Sequence, residues 1–426
     1  MSQTITMDIW IIVISIIIIF GFVEIITYFW VKFVRKHFPW LITEKDEYPQ
    51  LSEEGLAKFI PHGYDSELGW VRKPNTSHYE KVKNGKTTWS INSNGSRTNP
   101  GFENHDSLIS CYGDSFTFAR QVNDDETWGH YISKKLETNV LNFGVGNFGI
   151  DQSLLRLKRE FLKNKTKIVI LAVVPDTISR ILSSWKHYYE YGNTFAFKPR
   201  FELKNNKLHL IKNKIDDKTK FYNYFDYLAE IQKNDFFYEQ KFKKEKLHFP
   251  YSFTIFKNTR RNFSIIWWVT IIWFLRALGS DTSKIDWNPM RTIMRINLQW
   301  RIRLYKNQEA IRLLKEIIQE FVSYSEQQKF VPVFIFLPQK DDIIFIKNHF
   351  NFCDELVKPL SKIKNINYID ITKYLLNDPN LDDYYCDDNE YGGHYSKLGN
   401  QKISEIIYND LINLRLTQKN LSETQN

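Results

Sequence analysis

Leu108-Ile109-Ser110-Cys111-Tyr112-Gly113-Asp114-Ser115-Phe116 reads as a strand that runs into a tight turn and then into a helix. Gly113 permits the turn, and Asp114 and Ser115 are both residue types that cap helix starts. A helix beginning there aims its free amide groups at whatever sits on the turn. Working outward, apolar runs bounded by Gly, Pro or Asp recur at Val140 to Val145, Ile168 to Val174, Val331 to Leu337 and Ile366 to Ile371. Helical stretches separate them, among them Asp125 to Leu136 and Ser153 to Lys163. Continuous apolar strands alternating with helices imply a parallel sheet covered on both faces. Sites in such sheets form beyond the carboxyl ends of the strands. Ser115 follows the first strand, Gly144 to Gly149 the second and Asp176 the third.

A serine hydroxyl becomes a nucleophile only when a base takes its proton and fixed donors hold the oxyanion. The chain offers a base far downstream, in Gly392-Gly393-His394-Tyr395-Ser396-Lys397-Leu398-Gly399-Asn400. Two glycines let the backbone approach closely there, and Ser396 is placed to cap a final helix from about Lys397 to Leu414. That helix carries Leu398, Ile403, Ile406, Ile407, Leu411 and Leu414 at helical spacing. Each half alone has a plainer explanation: Asp114 and Ser115 as helix caps, His394 as a surface histidine. Their order around a parallel sheet makes a nucleophile–base pair the sharper expectation.

These stretches resemble the blocks of the SGNH/GDSL-type serine esterases. Gly-Asp-Ser at 113–115 is similar to the first block, and Asn142-Phe143-Gly144-Val145-Gly146-Asn147-Phe148-Gly149-Ile150-Asp151-Gln152 to the second block of a membrane-associated branch. The His394 stretch is similar to the last block. Tyr64 to Trp70 and Ile91 to Arg97 resemble the N-terminal region of such proteins. The resemblance implies a three-layer α/β/α, flavodoxin-like fold with about five parallel strands, Ser115 as nucleophile and His394 as base. It also implies chemistry that needs no metal or organic cofactor.

Two departures stand out. The family's third block offers an asparagine to the oxyanion hole, whereas this chain has Val173-Val174-Pro175-Asp176-Thr177-Ile178. An ionised Asp176 would repel an oxyanion, so the donors expected are the Ser115 amide with Gly146 or Asn147. Asp114, Asp151 and Asp176 are expected to support the site. The family also places an aspartate three residues before the histidine, where this chain has Tyr391. Glu390 is the favoured orienting acid and Asp388 the second choice, with Asp387 also nearby. A dyad oriented by a backbone carbonyl is the alternative.

Composition narrows the partners. Residues Ile9 to Val31 form an apolar run broken by Ser15, Gly21, Glu24 and Thr27, long enough for a single membrane-spanning helix. Asp8 precedes the run and Lys32, Arg35 and Lys36 follow it, so the positive-inside rule leads to the expectation of a large domain on the cytoplasmic side, with the extracytoplasmic side as the alternative. Three cysteines (Cys111, Cys353 and Cys386) imply no disulfide framework. Phe263 to Leu275 is too short to span, and its tryptophans between Arg260, Arg261 and Arg276 fit either a headgroup-level helix or a core helix. The net charge of +9 is spread without an aromatic-interleaved stripe, zinc-finger spacing or Walker loop, so nucleic acid is not an expected partner.

The expected organisation is an anchor with its basic flank (1–40), a β-rich lead-in (41–105), a first half of the catalytic domain (106–182), an insertion (183–289), a second half (290–415) and a polar tail (416–426). Asn84-Gly85 marks a hairpin in the lead-in, and Asn205-Asn206 another in the insertion. The expected activity is hydrolysis of O-acyl esters, O-acetyl foremost, on an envelope or lipid-linked glycan through an acyl-serine. Acetyl transfer on the same fold, a catalytically degraded binding module and a lipid esterase are the rivals.

Overall fold

The computed structural model describes residues 2–82, 85–360, 362–387 and 389–416, with side chains from residue 9 onward. The chain divides into two compact units. One comprises Leu51–Lys186, Phe195–Asp235 and the chain from Leu298; the other comprises Met1–Gln50, His187–Thr194 and Phe236–Asn297. The insertion expected as one block is thus shared between the units.

The first unit is a three-layer α/β/α structure. Its parallel sheet is built from β1 (Ser107–Gly113), β2 (Asn139–Asn142), β3 (Ile168–Val173), β4 (Val331–Phe336) and β5 (Asn367–Asp370). Their order is β5-β4-β3-β1-β2, so the chain reverses direction across the sheet between β1 and β3. Every β3 residue is buried, which is why its sequence is continuously apolar and not alternating. One face packs Ile109, Cys111, Ile170, Ala172, Val333 and Ile335 in a single cluster with Trp128 and Ile132 of the Trp128–Leu136 helix and Ile403, Ile406 and Ile407 of the C-terminal helix Lys397–Asn413. Helices Ile150–Glu160 and Gln308–Gln328 pack together and against the sheet strands.

The crossing point is crowded enough to require glycine. A Cβ on Gly113 would lie 1.8 Å from the Ala172 carbonyl oxygen, and one on Gly144 would lie 2.3 Å from the Phe118 amide nitrogen. In the lead-in, Thr76–Val82 pairs antiparallel with Gly85–Ile91. The expected turn residue Asn84 lies outside the described residues. The second hairpin, Arg200–Lys204 with Lys207–Ile211, turns through Asn205 and Asn206 at φ 50° and 63°. Both angles suit a two-residue turn whose twist matches the strands.

The other unit is built around the helix Ser2–His37. Within it Ile9–His37 is the one segment among the described residues long and apolar enough to cross a bilayer. Large apolar side chains from Ile9 to Val23 are exposed, whereas Glu24, Thr27, Val31 and Val34 are buried. Glu24, which interrupts the apolar run, has a local partner. Its carboxylate accepts from the amides of Tyr251 (2.6 Å) and Ser252 (3.0 Å), capping the helix Tyr251–Lys257. The Phe263 to Leu275 stretch forms the helix Ser264–Ala277. Ile265, Ile266, Val269 and Ile272 are buried while Trp267, Trp273 and Phe274 are exposed. Trp30 Nε1 donates to Thr270 Oγ1 at 2.8 Å, tying this helix to the first.

Candidate active site

The end of β1 and the loop before the C-terminal helix meet at Ser115 and His394. Ser115 opens the helical turn Ser115–Phe118, so its N–H has no intrahelical acceptor. Asp114 holds the turn in place: its buried carboxylate accepts from the amides of Phe116 and Val174, both at 2.9 Å, and from Arg180 Nη1 at 3.1 Å. Burial pushes the Asp114 carboxyl up, and Arg180 opposes that shift. His394 Nε2 lies 2.8 Å from Ser115 Oγ, within reach for direct proton transfer.

His394 is held by its own loop. Gly392 and Gly393 take φ of 63° and 66°, left-handed values that glycine adopts without strain. The Cys386 amide donates to the His394 carbonyl at 2.9 Å, and the Asp387 amide to the Gly392 carbonyl at 2.9 Å. Tyr385 and Tyr395 both donate their hydroxyls to the Pro338 carbonyl, at 2.8 and 2.9 Å.

The third partner differs from expectation. His394 Nδ1 faces Gln121 Oε1 at 3.0 Å, and the same oxygen accepts the His394 backbone N–H at 2.9 Å. A backbone N–H can only donate, so the amide oxygen, and not its nitrogen, points at the loop. Nδ1 therefore carries the proton, and Nε2 presents its lone pair to the Ser115 hydroxyl. Glu390, expected in this role, is an exposed turn residue, and the Nδ1 position is already filled by Gln121. Asp388 lies outside the described residues.

Gln121 sits at φ 72°, between Ala119 at φ 58° and Val122, in a loop with little regular structure. Arg97 fixes that loop. Its fully buried guanidinium donates to the carbonyls of Phe118 (2.6 Å), Ala119 (2.7 Å) and Val122 (2.7 Å) and to Asp124 Oδ1 (2.7 Å). One side chain thus satisfies three carbonyls that would otherwise be buried without partners.

Of the two expected oxyanion donors beside Ser115, Gly146 lies against that residue: a Cβ built on it would be 4.0 Å from Ser115 Cβ. Trp70 Nε1 donates to the Gly146 carbonyl at 2.9 Å and so holds the following peptide, whose N–H is that of Asn147. Asn147, at φ 66°, is exposed at the turn closed by the Phe148 amide on the Val145 carbonyl. Asp176 is neutralised by Arg180 (3.2 Å) and Arg301 (3.3 Å), so the repulsion expected of it is met by ion pairing. Asp151 pairs with the buried Lys198 at 2.6 Å and anchors the loop after β2.

Burial, followed by Arg120, Arg180 and Arg72, lowers the His394 pKa to about 3. Gln121, Arg97 and Arg72 were not among the expected site residues. A glutamine in an irregular loop gives no periodic or motif signal, and two of these arginines precede the nucleophile by many residues.

No protein-family model matches the sequence, and no curated protein is similar to it. Among solved structures, the chain is similar to a lipase/acylhydrolase from Enterococcus faecalis (12% identity, TM-score 0.33), covering 72% of this chain and 95% of that one. It is also similar to the esterase EstA from Pseudoalteromonas sp. (8% identity, TM-score 0.33; 73% and 100% covered) and to the acetyl xylan esterase AlAXEase (11% identity, TM-score 0.31; 71% and 98% covered). Likenesses this distant say nothing of substrate, and the fold rests on the strand order itself.

Proposed function

We propose that this chain is a membrane-anchored serine esterase of the SGNH/GDSL type, acting on O-acyl esters of a glycan, O-acetyl foremost. The observation that carries the reading is the 2.8 Å contact between Ser115 Oγ and a His394 Nε2 whose tautomer is set by Gln121. Ser115 Oγ attacks the ester carbonyl carbon as its proton passes to Nε2. The amides of Ser115 and Gly146 receive the oxyanion. Collapse expels the sugar alkoxide, which takes the proton from Nε2 and leaves an acyl-serine. Water then attacks the acyl carbon as its proton passes to Nε2, and collapse expels Ser115 Oγ, which takes that proton back as the acid leaves. A sugar hydroxyl in place of water would complete transfer instead.

The bare apolar face from Ile9 to Val23 supports anchoring in a bilayer, which favours an envelope or lipid-linked glycan over a freely diffusing ester. The intact serine–histidine contact favours an enzyme over a degraded binding module. Acetate release from surface glycans by wild type, with none from Ser115→Ala, is the expected result. Equal release by both proteins would refute the proposal.

A further inference from the structure

Beside the nucleophile lies a cavity of about 480 Å³ that reaches Val145 and Gly146. That volume suits a small ligand or one to two sugar units. Five of its lining residues are basic (Lys58, His62, Arg72, Lys73 and His78), and none of the residues lining it is acidic. Lys58 pairs with Glu54 at 2.5 Å, and both side chains are exposed, so that pair belongs to the rim.

Arg72 is the cation that the surrounding structure holds most firmly on this wall. Its guanidinium carbon lies 3.9 Å from the ring centres of both Trp89 and Phe118, and its Nε is buried with no hydrogen-bond partner among the described residues. The two rings fix the guanidinium plane, a geometry suited to recognising carboxylate or phosphate. Glu80 is a nearby counter-charge, but it pairs with Arg120 at 2.6 Å.

We propose that this cavity seats an anionic group of the substrate, a carboxylate or phosphate on the saccharide whose ester carbonyl lies at Ser115. The inference rests on the esterase reading and adds the substrate class. Burial and the neighbouring Arg97 and Arg120 lower the Arg72 pKa to about 9, with Glu80 opposing; a bound anion would relieve that crowding. The same anion would offset the arginines that disfavour the His394 imidazolium as Ser115 gives up its proton. Trp70 and Phe59, also on the cavity wall, supply aromatic surface for a sugar ring.

Full-length Ser115→Ala protein in detergent tests this without turnover. Its affinity for trigalacturonate, for glucose 1-phosphate and for neutral galactotriose is measured by calorimetry at low and high salt. The expected result is that one anionic probe binds about tenfold or more tighter than galactotriose, that salt weakens it, and that Arg72→Gln removes the preference. Which anion wins separates a uronate from a sugar phosphate. Equal affinities, no binding of any probe, or a preference untouched by Arg72→Gln overturns the assignment. If Arg72→Gln does not fold, Lys73→Gln takes its place, with a weaker preference expected and an unchanged one overturning the assignment. Fluorophosphonate labelling of otherwise wild-type protein keeps the two readings apart: labelling without anion preference removes the cavity assignment alone, and anion preference without labelling removes the esterase alone.

Discussion

The two edges of the His394 ring meet different chemistry. At Nε2 stands Ser115, delivered by a strand end, a buried Asp114 cap and a glycine that nothing larger could replace. At Nδ1 stands Gln121, a neutral amide delivered by an irregular loop that Arg97 stitches together. A carboxylate at Nδ1 would both orient the ring and stabilise the imidazolium; an amide only orients. A unit charge about 4 Å away is worth about 4 kcal/mol at an effective dielectric of about 20, so the omission is large. On the proposed mechanism, the three arginines near the ring would favour the oxyanion half of the transition state and oppose the imidazolium half. Orientation and charge stabilisation are separable jobs, and on that reading the first stays on the protein while the second is left to the substrate.

Changes at the two edges should differ in size and kind. Ser115→Ala is expected to lower kcat by about 10⁴-fold or more, because a serine–histidine unit fails when either member is lost; p-nitrophenyl acetate turnover measures it. Gln121→Leu should lower kcat by about 100-fold with KM little changed, since it frees the ring without removing base or nucleophile. A drop as small as twofold would mean that the loop alone orients His394. Gln121→Glu sharpens the comparison: a carboxylate there should raise the acid limb of kcat/KM by about one pH unit or more.

The wild-type limb should itself lie low. Neutral imidazole is the active form, and the lowered His394 pKa of about 3 keeps it neutral, so kcat/KM should hold between pH 7 and 5. A fall centred near the ordinary value of about 6.5 would show that the buried cationic setting does not govern the base. The same shift has a stability consequence of known sign. As pH falls below about 6.5 the unfolded chain binds a proton that the folded site refuses, so acid favours unfolding.

Arg97→Met should destabilise the α/β unit by about 3 kcal/mol or more, as expected when one partner of a buried pair is removed. Denaturant unfolding followed by tryptophan fluorescence reads that loss. Trp70→Phe keeps an aromatic ring on the cavity wall but removes the hydrogen bond to the Gly146 carbonyl, and is expected to cost about tenfold in kcat, the smallest effect of the series. No effect would show that this hydrogen bond does not position the loop beside Ser115.

The legible part of this molecule was the part whose physics is periodic. Fully buried strands must be apolar throughout, so β1, β3 and β4 stood out in the sequence, and the helix of Ile403, Ile406 and Ile407 announced itself by spacing. Ser115 and His394 were legible because a turn that must hold glycine and a capped helix start leave local signatures. Gln121 was not, because its position depends on left-handed backbone at residues 119 and 121 and on a guanidinium from residue 97. No local pattern encodes that meeting. Glu390 was a reasonable expectation from charge and proximity in sequence, but its exposed turn places it away from the role that Gln121 fills. The division of the insertion was hidden for a similar reason: residues 195–235 pack with the sheet unit while their flanks pack around the N-terminal helix.

Active-site labelling reaches the central claim most directly. Wild-type protein, Ser115→Ala and His394→Ala are treated with a fluorophosphonate and digested, and the modified residue is located by mass spectrometry. A single adduct on Ser115 is expected in wild type, none in Ser115→Ala and a much slower reaction in His394→Ala. An unmodified Ser115 in folded wild-type protein, or labelling at the same rate without His394, would contradict the claim.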